Sequence, residues 1–182
     1  VTQSIKKLSN ALKQAVFNDC DYRLLSNDTL IKIEDMKGFD RHKKENLKLY
    51  NDFAYKVVLA DKVIDLGLYE EKILKNGKVK RVKATGTLKQ RLIITFSRKM
   101  MEYQRTVRDR QIERARKLLE KKDPEEIKKG PNDVKRFLKR VAHTKSGENA
   151  TIEYVLDESK IAEEEKYDGY YAAATNLCDP AK

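Results

Sequence analysis

Apolar residues at helical spacing predict an amphipathic helix near the start of the chain. The positions that recur every three or four residues are Ile5, Leu8, Ala11, Leu12, Ala15 and Val16. This spacing places them on one side of a helix. Ser4 suits the N-terminal cap because its hydroxyl can accept a hydrogen bond from a free backbone N–H. We therefore predict a helix over residues 4–17, followed by a turn-rich stretch over residues 18–30.

The middle of the chain contains the clearest turn signal, Asn76-Gly77, whose residues favour the backbone of a two-residue hairpin. Residues 71–75 and 78–82 flank it as strand candidates, and Gly86 permits a second turn before residues 88–96. This pattern predicts a three-stranded antiparallel meander. The preceding segment, residues 41–61, fits either a helix or, over residues 55–59, a strand.

A long helix is predicted over residues 97–122, with Ser97 as its cap and Asp123-Pro124 as its end. At about 100° per residue its apolar side chains fill about half of the circumference. They are Met100, Met101, Tyr103, Val107, Ile112, Ala115, Leu118 and Leu119. This stripe is typical of a packing surface, and the same burial is expected for Tyr154, Tyr170 and Tyr171.

The last third of the chain alternates short helices and strands. We predict helices over residues 125–129, 134–141 and 157–166, a loop over residues 146–149, and strands over residues 151–155 and 168–177. Asp168 is interpreted as a turn residue beside Gly169, not as a catalytic acid. The predicted fold is α+β, an antiparallel sheet of about five strands with packed helices, in a single domain over residues 1–182.

Positive charge is concentrated in the middle of the chain. Residues 75–145 contain 24 Lys and Arg against 8 Asp and Glu, a balance of +16 within a net charge of +11. Clustered cations can neutralise phosphates and bind nucleic acid without reading its sequence, although lysine-rich helices are also common as solvated surfaces. The predicted DNA contacts are Arg98, Arg105, Arg108, Arg110, Arg114, Arg116 and Lys117.

Composition argues against several other kinds of chemistry. Cys20 and Cys178 read as reduced thiols of a cytoplasmic protein, and His42 and His143 are isolated, so no zinc site is predicted. The acids of residues 163–165 are adjacent and would point in different directions on a helix. No apolar run approaches the length of a membrane span, and no phosphate-binding glycine motif occurs.

Residues 167–177 carry a resemblance to a known family. Their sequence, Tyr-Asp-Gly-Tyr-Tyr-Ala-Ala-Ala-Thr-Asn-Leu, resembles the "(F/Y)-D-G-(F/Y)-Y-x-x-x-T-N-L" stretch of bacterial insertion-sequence transposases of the IS4/IS1634-like group, which have a DDE active site. Residues 1–8, and residues 91–97 followed by 103–105 and 110–115, also resemble segments of that family in the same order and at similar spacing. The resemblance spans nearly the whole chain and is weakest over residues 27–82.

The resemblance implies a role without catalysis. Such transposases cut and join DNA ends with Mg²⁺ or Mn²⁺ held by two aspartates and a glutamate. In the family the aspartates lie upstream of the segment like residues 1–8, and the glutamate lies downstream of the segment like residues 168–177. No catalytic residue, metal ligand or cofactor is therefore assigned to this sequence. It resembles the insertion within the ribonuclease-H-like core, with residues 1–3 as the clipped end of a core strand.

The function implied is that of a DNA-positioning or clamping insertion domain acting in DNA transposition. Its expected partners are DNA and the other parts of the transposase core, and self-association is an open alternative. The second interpretation is a standalone basic module that binds RNA or DNA, although no RNA-binding signature is present. The third is an interaction domain whose basic surface is incidental. For an insertion, the two ends of the chain are expected to lie close together, and pairing between them as neighbouring strands is left open.

Overall fold

A computed structural model describes residues 2–121, 133–143 and 151–177. The fold is α+β, as predicted, and the chain divides into two compact units. Unit 1 comprises Val1–Phe96 with Tyr170–Lys182, and unit 2 comprises Ser97–Gly169. In sequence, unit 2 is therefore inserted into unit 1, where the sequence pattern predicted a single domain.

The described elements are five α-helices, of which the longest has 24 residues, and nine antiparallel strands. The helices are α1 (Asn10–Phe17), α2 (Ile33–Gly38), α3 (Leu47–Asn51), α4 (Arg98–Lys121) and α5 (Glu158–Glu165). The strands are β1 (Thr2–Gln3), β2 (Arg23–Leu24), β3 (Ala54–Leu59), β4 (Lys62–Ile73), β5 (Val79–Leu88), β6 (Arg91–Phe96), β7 (Leu138–His143), β8 (Thr151–Leu156) and β9 (Tyr170–Thr175).

Unit 1 is organised around a five-stranded antiparallel sheet in the order β1-β9-β6-β3-β2. Alternating residues of β6 are buried, Leu92, Ile94 and Phe96 among them. At the end of the β6–β9 pair, Phe96 lies opposite Tyr170, and their ring centroids are 4.9 Å apart. The antiparallel pairing agrees with the prediction, but the described strands form three sheets where a single sheet of about five strands was predicted.

The two ends of the described chain pair with each other. β1 runs antiparallel to β9, with Thr2 opposite Ala173 and Gln3 opposite Ala172. This confirms the expectation that the first residues lie beside the last strand. β1 lies at one edge of the sheet. Its two residues supply only a short ladder of hydrogen bonds to β9.

A hairpin is present where Asn76-Gly77 predicted one, but its loop has three residues, Lys75 to Gly77, and not two, because Leu74 pairs with Lys78. The predicted three-stranded meander is absent. β4 and β5 form a two-stranded sheet of their own around this turn. The third predicted strand, β6, instead lies between β3 and β9 in the large sheet. Residues along β6 alternate between buried and partly buried, as suits a strand that has a neighbour on each side and one face against a core.

The first helix begins later than the periodicity indicates. A single 3₁₀ turn spans Ile5–Lys7, and Leu8 then adopts an extended backbone. Ser9, not Ser4, caps α1, because its side chain accepts a hydrogen bond from the Leu12 N–H. Residues 41–61, for which the sequence pattern allowed a helix or a strand, contain one of each. α3 comes first, and β3 follows after two residues.

Unit 2 packs around one face of α4. Its core consists of Ile112, Ala115, Phe137, Leu138 and Ile161, with Leu119, Tyr154 and Leu156 packed against it. The helix predicted over residues 134–141 is wrong beyond Phe137, because a short 3₁₀ turn there gives way to β7, which pairs with β8. The predictions for residues 125–129 and 146–149 lie outside the described residues.

Candidate nucleic-acid interface

The two ends of unit 2 lie side by side where α4 begins. The backbone N–H of Ser97 donates to the carbonyl oxygen of Gly169 at 3.0 Å. The Ser97 hydroxyl accepts from the Met100 N–H at 3.5 Å, so the predicted cap is confirmed. Gly169 has a φ of 80°, which a residue without a Cβ adopts at no steric cost. These contacts fix the start of the helix.

A buried ion pair fixes the middle of α4. Arg108 donates from both terminal nitrogens to the two carboxylate oxygens of Asp168, each at 2.7 Å. Both side chains are only 6% exposed. Glu165 lies 3.5 Å from one Arg108 nitrogen, and Arg105 lies 3.6 Å from Asp168. A planar guanidinium matches a carboxylate in this two-bond geometry better than a lysine ammonium would.

The electrostatics of this pair favour the charged state of Arg108. Burial by itself lowers the pKa of the guanidinium, but the hydrogen bonds and negative charge of Asp168 outweigh it and raise the pKa. The Nε atom of Arg108 is buried and makes no hydrogen bond within the described part of the chain. Arg108 is therefore a structural residue, which corrects its prediction as a DNA contact.

A second arginine joins the remaining elements of unit 2. Arg136 donates to Glu164 at 3.3 Å and to the side-chain oxygen of Gln111 at 2.7 Å. Its guanidinium also lies over the Phe137 ring, 4.2 Å from the centroid. These contacts join α4, the 3₁₀ turn and α5, so the buried face of α4 is held at two positions.

The other predicted DNA contacts differ in exposure. Five of them are exposed on α4, namely Arg105, Arg110, Arg114, Arg116 and Lys117. Arg98 is only 18% exposed, and its Nε donates to Glu102 at 2.9 Å. Arg105 also contacts Asp168, whose carboxylate lies 3.6 Å from the Arg105 Nε. Five of the seven predicted DNA contacts are therefore exposed to solvent.

Three of these cations share one face of the helix. At about 100° per residue, Arg110, Arg114 and Lys117 fall within an arc of about 60° that also contains Lys99 and Tyr103. All five side chains are exposed. We call this set the cationic face. From residue 99 to residue 117 it extends for about 27 Å along the helix axis.

Within the described part of the chain, few contacts compete for the cationic face. Lys117 lies 3.8 Å from Glu113, but both side chains are more than half exposed. Exposed ion pairs of this kind contribute little free energy, because water and salt screen them. The acidic residues of the helix lie beside this face, and Glu113 is 3.8 Å from both Arg116 and Lys117. The face is therefore electrostatically suited to a row of phosphates.

The tyrosines follow the predicted burial only in part. Tyr170 is buried and Tyr154 packs against the core of unit 2. Tyr103 is 62% exposed beside the cations, and Tyr171 is also exposed. An exposed aromatic ring among cations can stack on unpaired bases.

Sequence reasoning did not find the role of Asp168. The residue was correctly placed in a turn before the last strand, yet its carboxylate is the buried partner of Arg108. An aspartate that precedes glycine is an ordinary turn signal. Nothing local indicates a partner 60 positions away.

The structure and the comparisons add two further findings. Within residues 2–121, 133–143 and 151–177, no three His, Cys, Asp or Glu side chains are grouped to hold a metal ion, and none of the helices there has the length and apolar character needed to cross a membrane. Comparison of the chain with protein-family models, curated proteins and solved structures gives no match.

Proposed function

We propose that this chain is the DNA-positioning insertion region of a DDE transposase, and that it holds duplex DNA against the cationic face of α4. The observation that carries the proposal is the alignment of Arg110, Arg114 and Lys117 on one exposed side of a helix. Such a row binds phosphates without reading bases. The family resemblance of residues 167–177 supplies the biological setting.

The charge distribution supports a polyanionic ligand. The excess of +16 lies within residues 75–145, whereas residues 146–182 contain 3 Lys and Arg against 9 Asp and Glu. A protein that neutralises phosphates releases condensed counterions, which favours binding at low salt. A strongly positive stretch also raises the rate at which DNA associates with a protein.

The pairing of β1 with β9 supports the insertion interpretation. A segment inserted into a host core has to leave and re-enter that core at neighbouring positions. Thr2 lies opposite Ala173 in adjacent strands, as this geometry requires. The metal ions and the acidic ligands of the reaction would belong to the rest of the transposase, since the resemblance assigns none of them to this sequence.

Charge reversal on the cationic face tests the proposal. The variant R110E/R114E/K117E places three acids on exposed helical positions, where glutamate is a good helix former. Fluorescence anisotropy with a labelled random-sequence duplex at low salt should show an affinity lower by roughly tenfold or more. The matched control K43E/K44E/K48E changes three exposed lysines of unit 1 and the same total charge.

The comparison between the two variants decides the outcome. A large loss in the helix variant with a small loss in the control places the contact on α4. Equal affinities would mean that net charge alone governs binding. Absence of any binding by the unaltered protein would favour an interaction domain whose basic surface is incidental.

A further inference from the structure

The paired strands β4 and β5 form an arm that continues from the paired strands β3 and β6 of unit 1. β3 and β6 pair up to Leu59 opposite Arg91. The Ala60 N–H then donates to the Gln90 carbonyl at 2.9 Å, and the pairing resumes with Lys62 opposite Leu88. Two strands of the sheet therefore continue beyond it as a two-stranded ribbon of 12 and 10 residues.

This ribbon is almost entirely exposed to solvent. Ala84 is the one buried residue in β4 and β5. Aliphatic side chains that normally avoid water are exposed along it, including Leu68, Ile73 and Val79. Isolated two-stranded ribbons are only marginally stable in water, so an exposed one is usually completed by a partner.

The end of the ribbon is strongly basic. Residues 72–81, which we call the ribbon tip, contain five cations and no acid, namely Lys72, Lys75, Lys78, Lys80 and Arg81. Lys72 lies directly opposite Lys80, an arrangement in which like charges destabilise the strand pair. None of the four lysines forms an ion pair with another residue that the structure describes. An external anion would relieve this repulsion.

The turn holds the lysines in a defined arrangement. Gly77 has a φ of 77°, and its N–H donates to the Leu74 carbonyl at 2.8 Å. The Leu74 N–H in turn donates to the Lys78 carbonyl at 2.8 Å, and the Asn76 side chain accepts from the Lys78 N–H at 3.2 Å. Lys75 therefore lies within the turn and Lys78 directly follows it, and these hydrogen bonds hold the backbone that carries both lysines, so the backbone needs little ordering on binding.

We propose that the ribbon tip is a second DNA contact, which enters the major groove of a duplex while its lysines bind the flanking phosphates. The inference rests on the proposed function for the identity of its ligand. The major groove of B-form DNA admits a two-stranded ribbon, whereas the deep, narrow groove of an RNA duplex does not. Ile73 and Val79 face each other across the strands and present an apolar pair suited to thymine methyl groups.

Neutralising the tip while keeping the fold tests this proposal. The variant K72Q/K75Q/K78Q/K80Q changes exposed side chains, and K7Q/K43Q/K44Q/K48Q removes the same charge from exposed lysines elsewhere in unit 1. Affinity for a DNA duplex is measured across a salt series. The slope of log affinity against log salt should become shallower by about 3 to 4 in the tip variant, and by much less in the control.

Groove competitors and an RNA duplex test the geometry. Methyl green, which occupies the major groove, should displace the protein from DNA, and the minor-groove ligand netropsin should not. A tip variant that binds as its control does, or displacement by netropsin alone, would overturn the proposal. An equal loss of affinity by the tip variant for an RNA duplex would overturn the major-groove assignment.

The helix variant R110E/R114E/K117E in the same assay separates this inference from the proposed function. A loss in the helix variant with an unaffected tip variant rejects the second contact and leaves the proposed function standing. A loss in the tip variant with an unaffected helix variant supports the ribbon and rejects the cationic face of α4.

Discussion

Each terminal nitrogen of Arg108 lies 2.7 Å from a different carboxylate oxygen of Asp168, a residue 60 positions further along the chain. This buried fork joins the middle of α4 to the turn that precedes β9. It turns one arginine of a highly basic helix inward while Arg110, Arg114 and Lys117 face solvent. The ion pair thus determines which side of α4 is available to a ligand.

Breaking this ion pair should destabilise the protein strongly. Asp168→Asn keeps the shape of the side chain but leaves the Arg108 charge buried without its partner, which should lower the free energy of unfolding by about 3–5 kcal/mol. Urea denaturation measures the change. Asp109→Asn, an exposed position on the same helix, is the matched control and should alter stability by less than about 0.5 kcal/mol.

The double variant R108M/D168L separates charge burial from packing. It replaces both partners by apolar side chains and should recover much of the stability lost in Asp168→Asn. A buried ion pair seldom contributes more to stability than a well-packed pair of apolar side chains. If Asp168→Asn unfolds at the same urea concentration as the unaltered protein, the fork does not hold the helix in place.

The protein should lose stability at alkaline pH through Tyr22. Burial raises the pKa of its phenol, whose O–H donates to the Val16 carbonyl at 2.7 Å. A pKa raised in the folded state contributes stability that is complete below the ordinary value of 10.0 and is lost as the pH rises above it. Tyr22→Phe should therefore show a shallower decline in unfolding free energy above that pH.

The control for this prediction is Tyr69→Phe, an exposed tyrosine of the ribbon. Lys56 has the opposite effect on the free energy of unfolding. Burial lowers the pKa of its ammonium group, so the folded state gains stability as the pH rises and the buried group loses its charge. Thermal denaturation over an alkaline pH series gives both trends. Identical declines for Tyr22→Phe and the unaltered protein would contradict the assignment.

Local signals in the sequence predicted much of the fold. Residues 97–122 show a helical stripe and an N-terminal serine, and α4 follows them closely. Asn76-Gly77 predicted the position of a hairpin, although not its three-residue loop, and Asp157 caps α5 as expected for a residue before a short helix. These elements depend on the chain within a few residues, so pattern and turn chemistry suffice.

Features set by distant residues were not predictable. Residues 138–143 read as helix, yet pairing with β8 makes them a strand, because cross-strand packing overrides a weak local preference. β6 was assigned to the hairpin next to it in sequence, whereas its neighbours in space are β3 and β9. Arg108 looked like its exposed neighbours because the burial depends on Asp168.

The isolated chain should neither nick DNA nor transfer strands when Mg²⁺ or Mn²⁺ is added. The catalytic acids of the family that it resembles are assigned to no residue of this sequence, and two-metal chemistry requires converging carboxylates. A supercoiled-plasmid assay with highly purified protein measures nicking. Metal-dependent cleavage that is abolished by substitution of an exposed acid such as Glu113 would contradict this prediction.

The salt dependence of DNA binding tests the central claim most directly. Log affinity for a random-sequence duplex is measured against log salt for the unaltered protein and for R110Q/R114Q/K117Q, which removes the charge of the cationic face without reversing it. The account predicts a steep negative slope for the unaltered protein that becomes shallower by about 3 in the variant, one unit for each lost phosphate contact. Equal slopes in the two proteins would contradict it.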